Sequence, residues 1–217
     1  MTQMTQIFVF GASIAYGVGG ETGGWADLIK QKLHTRMYSK LGTGEKYELY
    51  NFAKPGEPIS FVLDTYKYQF EKYKRKGKAI ILVSTGGNNS KAENEPDNFI
   101  STPEQYHDEM FRLLTELKEN SDAVIFVGTG TVDEFKTQPK FNPLTGKKSY
   151  FTNARRSLFE QILSQICTEI GITFIQTEIE NKEWIEKYLS SDGLHPNQNG
   201  HKLIADKIWP HLVLLLD

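Results

Sequence analysis

Short apolar runs alternate along this chain with stretches whose apolar residues recur every three or four positions. The first pattern marks strands and the second amphipathic helices, so the alternation predicts parallel strands joined by crossover helices. Gln6–Phe10 is β-branched and aromatic and stops at Gly11. Trp25, Leu28, Ile29, Leu33 and Met37 then fall at helical spacing. Tyr47–Phe52 reads as a second strand, and Ile59, Val62, Leu63, Tyr66, Phe70 and Tyr73 form a helical stripe closed by Gly77. Ala79–Ser84 is almost wholly apolar, as a central strand covered on both faces must be.

After a polar stretch from Thr85 to Ser101, Thr102-Pro103-Glu104-Gln105 carries several helix-start signals at once: an N-cap threonine, proline at the first helical position and a glutamine that completes a capping box. Tyr106, Met110, Leu113, Leu114 and Leu117 continue that helix, and Ala123–Val127 is a fourth strand. Gly128 to Tyr150 has no period and is long for a connection, which marks it as a functional loop or a disordered one. Its Val132, Phe135, Phe141 and Tyr150 are candidates for an apolar pocket lining or, equally, for a packing flap. Leu158 to Ile170 forms a helix ended by Gly171, Ile172–Ile175 is a fifth strand, and Asn181–Leu189 is a short helix. A last helix starts near Gly200 and meets Pro210, where a kink is expected. Five strands separated by helices predict a parallel sheet covered on both faces. With no repeat, linker or low-complexity segment, residues 1–217 read as one domain.

Composition narrows the functional classes. Hydrophobic residues at 39% and charged residues at 24% of 217 suit a globular chain with a sizeable core. A net charge of -2 lacks the basic excess of a nucleic-acid binder. The basic run Lys72 to Lys78 reads as a solvated helix end, where positive charge suits the helix dipole. One cysteine, Cys167, cannot form an internal disulfide. No apolar run is long enough to span a membrane, and no basic residue precedes Lys30, so a cytoplasmic location is expected.

Parallel sheets bind ligands at the carboxyl ends of their strands. The residues there are Gly11-Ala12-Ser13-Ile14 after the first strand, Ala53-Lys54-Pro55-Gly56 after the second and Gly86-Gly87-Asn88-Asn89 after the third. Asp192-Gly193-Leu194-His195-Pro196-Asn197 follows the fifth. This set suits acyl transfer. Ser13 needs a base to become a nucleophile, His195 is the candidate base because imidazoles as a class titrate near neutral pH, and Asp192 can hold the imidazole tautomer. The backbone N–H groups of Ser13 and Gly56 and the Asn88 amide are candidate oxyanion donors. Each signal alone has an ordinary reading as a turn or a cap; their order at successive strand ends is what is specific. A nucleotide-binding module is the competing reading, since Gly11 to Gly24 is glycine-rich. It lacks the Lys-Ser/Thr of a phosphate-binding loop, and Gly17-x-Gly19 meets Thr22 where a third glycine is needed.

In these four blocks the sequence resembles the SGNH hydrolases, the GDSL-type esterases and lipases, along nearly the whole chain. The resemblance implies a flavodoxin-like α/β/α sandwich with a five-stranded parallel sheet. It also implies hydrolysis of small-molecule esters, thioesters or acetylated sugars without metal or cofactor. Ser13 takes the nucleophile position, Asp192 and His195 complete the triad, and Ser13, Gly56 and Asn88 form the oxyanion hole. The chain departs from the family pattern at Ala12 and Asn89, where Asp is usual. A catalytically inactive member acting as a binding protein is the alternative that these departures leave open.

Overall fold

The computed structural model describes residues 4–39, 45–143, 145–177 and 180–216. Among the described residues there are eight strands: β1 (Met4–Gly11), β2 (Lys46–Asn51), β3 (Lys78–Ser84), β4 (Ala92–Glu93), β5 (Ala123–Val127), β6 (Lys140–Phe141), β7 (Lys148–Tyr150) and β8 (Thr173–Ile175). The helices are α1 (Ser13–Tyr16), α2 (Trp25–Tyr38), α3 (Ile59–Tyr73), α4 (Pro103–Asn120), α5 (Glu134–Thr137), α6 (Asn153–Ile170), α7 (Asn181–Glu183) and α8 (Gln198–Leu216).

The central sheet has the order β2-β1-β3-β5-β8, and every pair in it is parallel. Successive residues of each strand serve opposite layers, because side chains alternate across a sheet. Ile7, Val9, Ile80 and Leu82 pack with α2 and α8 on one face. Phe8, Phe10, Ile81 and Val83 pack with α3, α4 and α6 on the other. All eight are at most 1% exposed, and each contributes on the order of 1.5–3 kcal/mol of burial free energy. This is the three-layer α/β/α sandwich, in the flavodoxin-like strand order.

Thr102 Oγ1 accepts from Gln105 N at 3.2 Å while Gln105 Oε1 accepts from Thr102 N at 2.9 Å, so α4 starts with the capping box that its sequence spells. The 181–189 segment is one turn of α-helix followed by a π turn, Trp184–Tyr188. α8 continues through Pro210 to Leu216.

The structure corrects the reading of Gly128–Tyr150 as a stretch without secondary structure. It holds α5, β6 and β7, and β7 joins β4 in a second, three-stranded antiparallel sheet of order β4-β7-β6. Strands of two and three residues carry no readable period, and their pairing partner lies within the polar 85–101 stretch. Leu144, inside this segment, lies outside the described residues. Of the four proposed pocket residues only Phe141 reaches the site cavity. Val132 is buried in the core, Phe135 is wholly exposed, and the Tyr150 hydroxyl donates to the Asn94 carbonyl at 3.4 Å. Among the described residues no helix is long and apolar enough to cross a membrane.

Candidate active site

The strand order reverses between β1 and β3, and a crevice opens there at the carboxyl edge of the sheet. Ser13 stands on one side as the first residue of α1, directly after β1. Asn88 stands on the other, in a one-turn 3₁₀ helix, Gly87–Ser90, that follows β3. Ala12 N donates to Ser84 O at 3.1 Å, which ties the two strand ends together.

His195 and Asp192 arrive from the segment before α8. The turn is closed by Ser190 N donating to His195 O at 2.8 Å and Gly193 N donating to Ser190 O at 3.1 Å. Asp192 Oδ1 accepts from Ser190 Oγ at 2.7 Å, Leu194 N at 2.9 Å and His195 N at 3.0 Å. Asp192 Oδ2 receives His195 Nδ1 at 2.6 Å, and His195 Nε2 lies 2.9 Å from Ser13 Oγ. The aspartate is therefore both the local cap of its turn and the partner of the imidazole. Burial pushes its carboxyl pKa up, but the hydrogen bonds from His195 and Ser190 outweigh burial and hold it well below the usual carboxylate range. Asp192 is thus ionised across the neutral range. Gly193 sits at φ +71, and a Cβ there would meet Lys136 Cβ at 2.7 Å, so this turn needs glycine for conformation and for its fit against α5.

The Gly56 turn is braced by Asn51, whose Nδ2 donates to Ala15 O at 2.9 Å and whose Oδ1 accepts from Ala53 N at 3.0 Å. Gly56 has φ +85, with no atom within 4 Å of where a Cβ would lie, so conformation alone selects glycine there. Asn88 Nδ2 donates to Glu57 O at 3.0 Å, which places the amide beside that turn. An amide nitrogen carries two hydrogens, so this bond uses one donor and leaves another. Ser13, Gly56, Asn88 and His195 all line one cavity of about 320 Å³, whose other lining residues include Val18, Pro55, Phe141, Phe151 and Leu194 together with Lys91 and Lys140.

The two departures from the SGNH pattern have separate surroundings. Asn89 is buried and acts as a structural hub: its Oδ1 accepts from Ile59 N at 3.0 Å, and its Nδ2 donates to Ser101 Oγ at 3.0 Å and Glu109 Oε2 at 3.3 Å. An aspartate here would face Glu109, whose carboxyl is already raised, first by burial and further by Asp64. Asn89→Asp should therefore lose about 1–3 kcal/mol of stability at neutral pH and regain part of it in acid. Two facing carboxylates raise one pKa in the folded state, so the fold binds an extra proton and its stability falls as pH rises. Urea unfolding at two pH values checks this; equal losses at both would point to packing instead.

Ala12 is 7% exposed and lines a small cavity of about 20 Å³ with Ser84, Thr85, Thr129 and the buried Arg156. Arg156 Nε donates to Gly130 O at 2.8 Å and its Nη2 to Thr129 Oγ1 at 2.8 Å. The hydrogen bonds linking Ser13, His195 and Asp192 do not pass through position 12. Ala12→Asp should accordingly change kcat/KM on a short-chain ester by less than about tenfold, since about 1.4 kcal/mol of positioning energy is tenfold in rate. A switch from inert to active protein would show instead that Ala12 disables the site.

Sequence reasoning missed three supports. Lys140 reaches Asp192 from β6, with Nζ 3.0 Å from the carbonyl oxygen and 3.2 Å from Oδ2. His201, fully buried, accepts from Trp25 N through Nδ1 at 3.2 Å and bonds Val18 O through Nε2 at 3.0 Å, bracing the 18–25 segment. Asn197 donates to Lys187 O at 2.9 Å and Leu189 O at 3.1 Å, and accepts from Gly200 N at 3.0 Å. Only the asparagine left a sequence signal, at the end of the Asp192–Asn197 block. Among the described residues no group of three or more His, Cys, Asp or Glu side chains is placed to hold a metal ion.

The chain matches the GDSL-like Lipase/Acylhydrolase family over residues 9–203. Its structure is similar to that of the lipase/acylhydrolase from Enterococcus faecalis, at 17% identity over 95% of this chain and 94% of that one, with a TM-score of 0.69. It is also similar to Axe2, an acetylxylan esterase from Geobacillus stearothermophilus, at 15% identity over 97% and 95% with a TM-score of 0.68. A third is the psychrotrophic esterase EstA from Pseudoalteromonas sp., in a structure inhibited by monoethylphosphonate, at 15% identity over 97% and 98% with a TM-score of 0.67. At these identities the likeness is one of fold. No curated protein matches the chain.

Proposed function

Because the chain belongs to the GDSL-like lipase/acylhydrolase family, whose members are carboxylic ester hydrolases, we propose that it cleaves small-molecule esters through a covalent acyl group on Ser13. The observation that carries this reading is the unbroken line of hydrogen bonds from Ser13 Oγ through His195 to Asp192, at 2.9 and 2.6 Å.

In this mechanism Ser13 Oγ attacks the ester carbonyl carbon while His195 Nε2 takes the hydroxyl proton. Asp192 holds the Nδ1–H tautomer and stabilises the imidazolium. The negative charge on the former carbonyl oxygen is met by the N–H groups of Ser13 and Gly56 and the second donor of the Asn88 amide. Ser13 suits this because the first N–H groups of a helix have no intrahelical acceptor. As the tetrahedral species collapses, the carbonyl–alkoxy bond breaks and the His195 proton leaves with the alcohol. Water then adds to the acyl group with His195 again as base, and the released acid restores Ser13.

A fluorophosphonate tests the reading directly, because it needs an activated serine and the same oxyanion donors. The esterase EstA is inhibited by a related phosphonate. Labelling is expected at Ser13 and nowhere else, and absent in Ser13→Ala; native protein that stays unlabelled would favour a binding protein without turnover.

A further inference from the structure

Lys140 makes a contact that neither the family motif nor the hydrolytic cycle requires. Its Nζ lies 3.2 Å from Asp192 Oδ2, the same oxygen that receives His195 Nδ1 at 2.6 Å. It also donates to the Asp192 main-chain oxygen at 3.0 Å. The ammonium and the imidazole thus share one carboxylate oxygen, at 3.2 and 2.6 Å. The lysine side chain is 26% exposed, so solvent screens part of its charge. It comes from β6, which is held in register by β7 through Phe141↔Lys148 and Lys140↔Ser149, while β7 is held by β4.

We propose that Lys140 is a positioning residue for the triad: from β6 it pins the Asp192 turn and the carboxylate oxygen that orients His195 toward Ser13. This rests on the reading of His195 as the base for Ser13.

Other charged groups lie around the Asp192–His195 turn and its cavity, and they stay fixed when Lys140 alone is changed. His201 on α8 lies behind it. Burial lowers the His201 pKa, and a charge on His195 lowers it further. Asp133 and Lys136, paired at 3.3 Å, flank the Gly193 turn from α5. Arg156 from α6 lines the small cavity with His195. Across the larger cavity, Lys91 is paired with Glu93 at 2.9 Å. Among these, only Lys140 shares the oxygen that orients the imidazole.

The test is kcat and KM at one neutral pH for the full chain and for Lys140→Met, Lys140→Gln and Lys140→Arg, on phenyl acetate, which does not ionise. The Met and Gln variants should lose about tenfold in kcat with KM little changed, since about 1.4 kcal/mol of positioning energy is tenfold in rate. Lys140→Arg keeps a charged donor in reach of Asp192 and should recover most of kcat. Native kcat in both uncharged variants, or a loss that Lys140→Arg does not recover, would overturn the proposal. If Lys140→Met does not fold, Lys140→Gln against Lys140→Arg makes the same comparison. Failure of the underlying reading looks different: hydrolysis that survives Ser13→Ala.

Discussion

Replacing Ser13 by alanine is expected to lower kcat by about 10³- to 10⁶-fold, and His195→Ala should do about the same. The double variant should be little worse than either single one, because hydroxyl and imidazole act as a unit: without the base the serine stays an alcohol, and without the serine the base has nothing to deprotonate. Ester binding uses the walls of the cavity, so KM should move far less than kcat. Neither change removes core packing, since Ser13 faces the cavity and His195 is held by its turn. Equal melting temperatures beside steady-state kinetics on a short ester make the comparison. Hydrolysis at near-native rate in Ser13→Ala would end the covalent mechanism.

The second large effect is expected at Asn88. If its free amide hydrogen meets the oxyanion, Asn88→Ala should cost about 10²- to 10³-fold in kcat, or about 2.7–4 kcal/mol of transition-state stabilisation. The substrate carbonyl is a weaker acceptor than the oxyanion, so KM should stay nearly constant. Asn88→Asp keeps the shape but replaces two donors by a negative charge, and should be worse than alanine. The bond from Asn88 Nδ2 to Glu57 O also braces the Gly56 turn, so part of the loss would come from losing that bond. A Gly56→Ala variant separates the two, because φ +85 strains alanine while the Asn88 amide is left intact. A large rise in KM with kcat intact would make Asn88 a substrate-binding residue instead.

How far these features were legible in the sequence depends on the length scale that encodes them. The central sheet was legible because Ala79–Ser84 and its neighbours are long enough for composition and turn residues to bound them. α4 was legible because Thr102 and Gln105 write their own hydrogen bonds into the sequence. The site blocks were legible as motifs at strand ends. The β4-β7-β6 sheet was not, since two residues such as Lys140 and Phe141 fix no period and their pairing is set by chain far away. Lys140 itself looked like any surface lysine; its contact with Asp192 depends on how the 128–150 segment returns over the sheet edge. Asn89 looked like a departure inside a catalytic motif. Its work is structural and becomes visible only when Ile59, Ser101 and Glu109 are brought around it.

The hydrogen bond between Ser13 and His195 joins residues 182 positions apart. Closing a loop of that length costs on the order of 4–5 kcal/mol of chain entropy beyond a constant, more than a neutral hydrogen bond returns. No local structure can hold the pair together, so the contact is underwritten by the whole sheet, from β1 to the segment beyond β8. During synthesis Ser13 is made 182 residues before His195, and for that interval its hydroxyl is chemically an ordinary alcohol. On the proposed mechanism hydrolytic competence is therefore a property of the finished fold, and an unfinished or misassembled chain would not cleave the esters it meets.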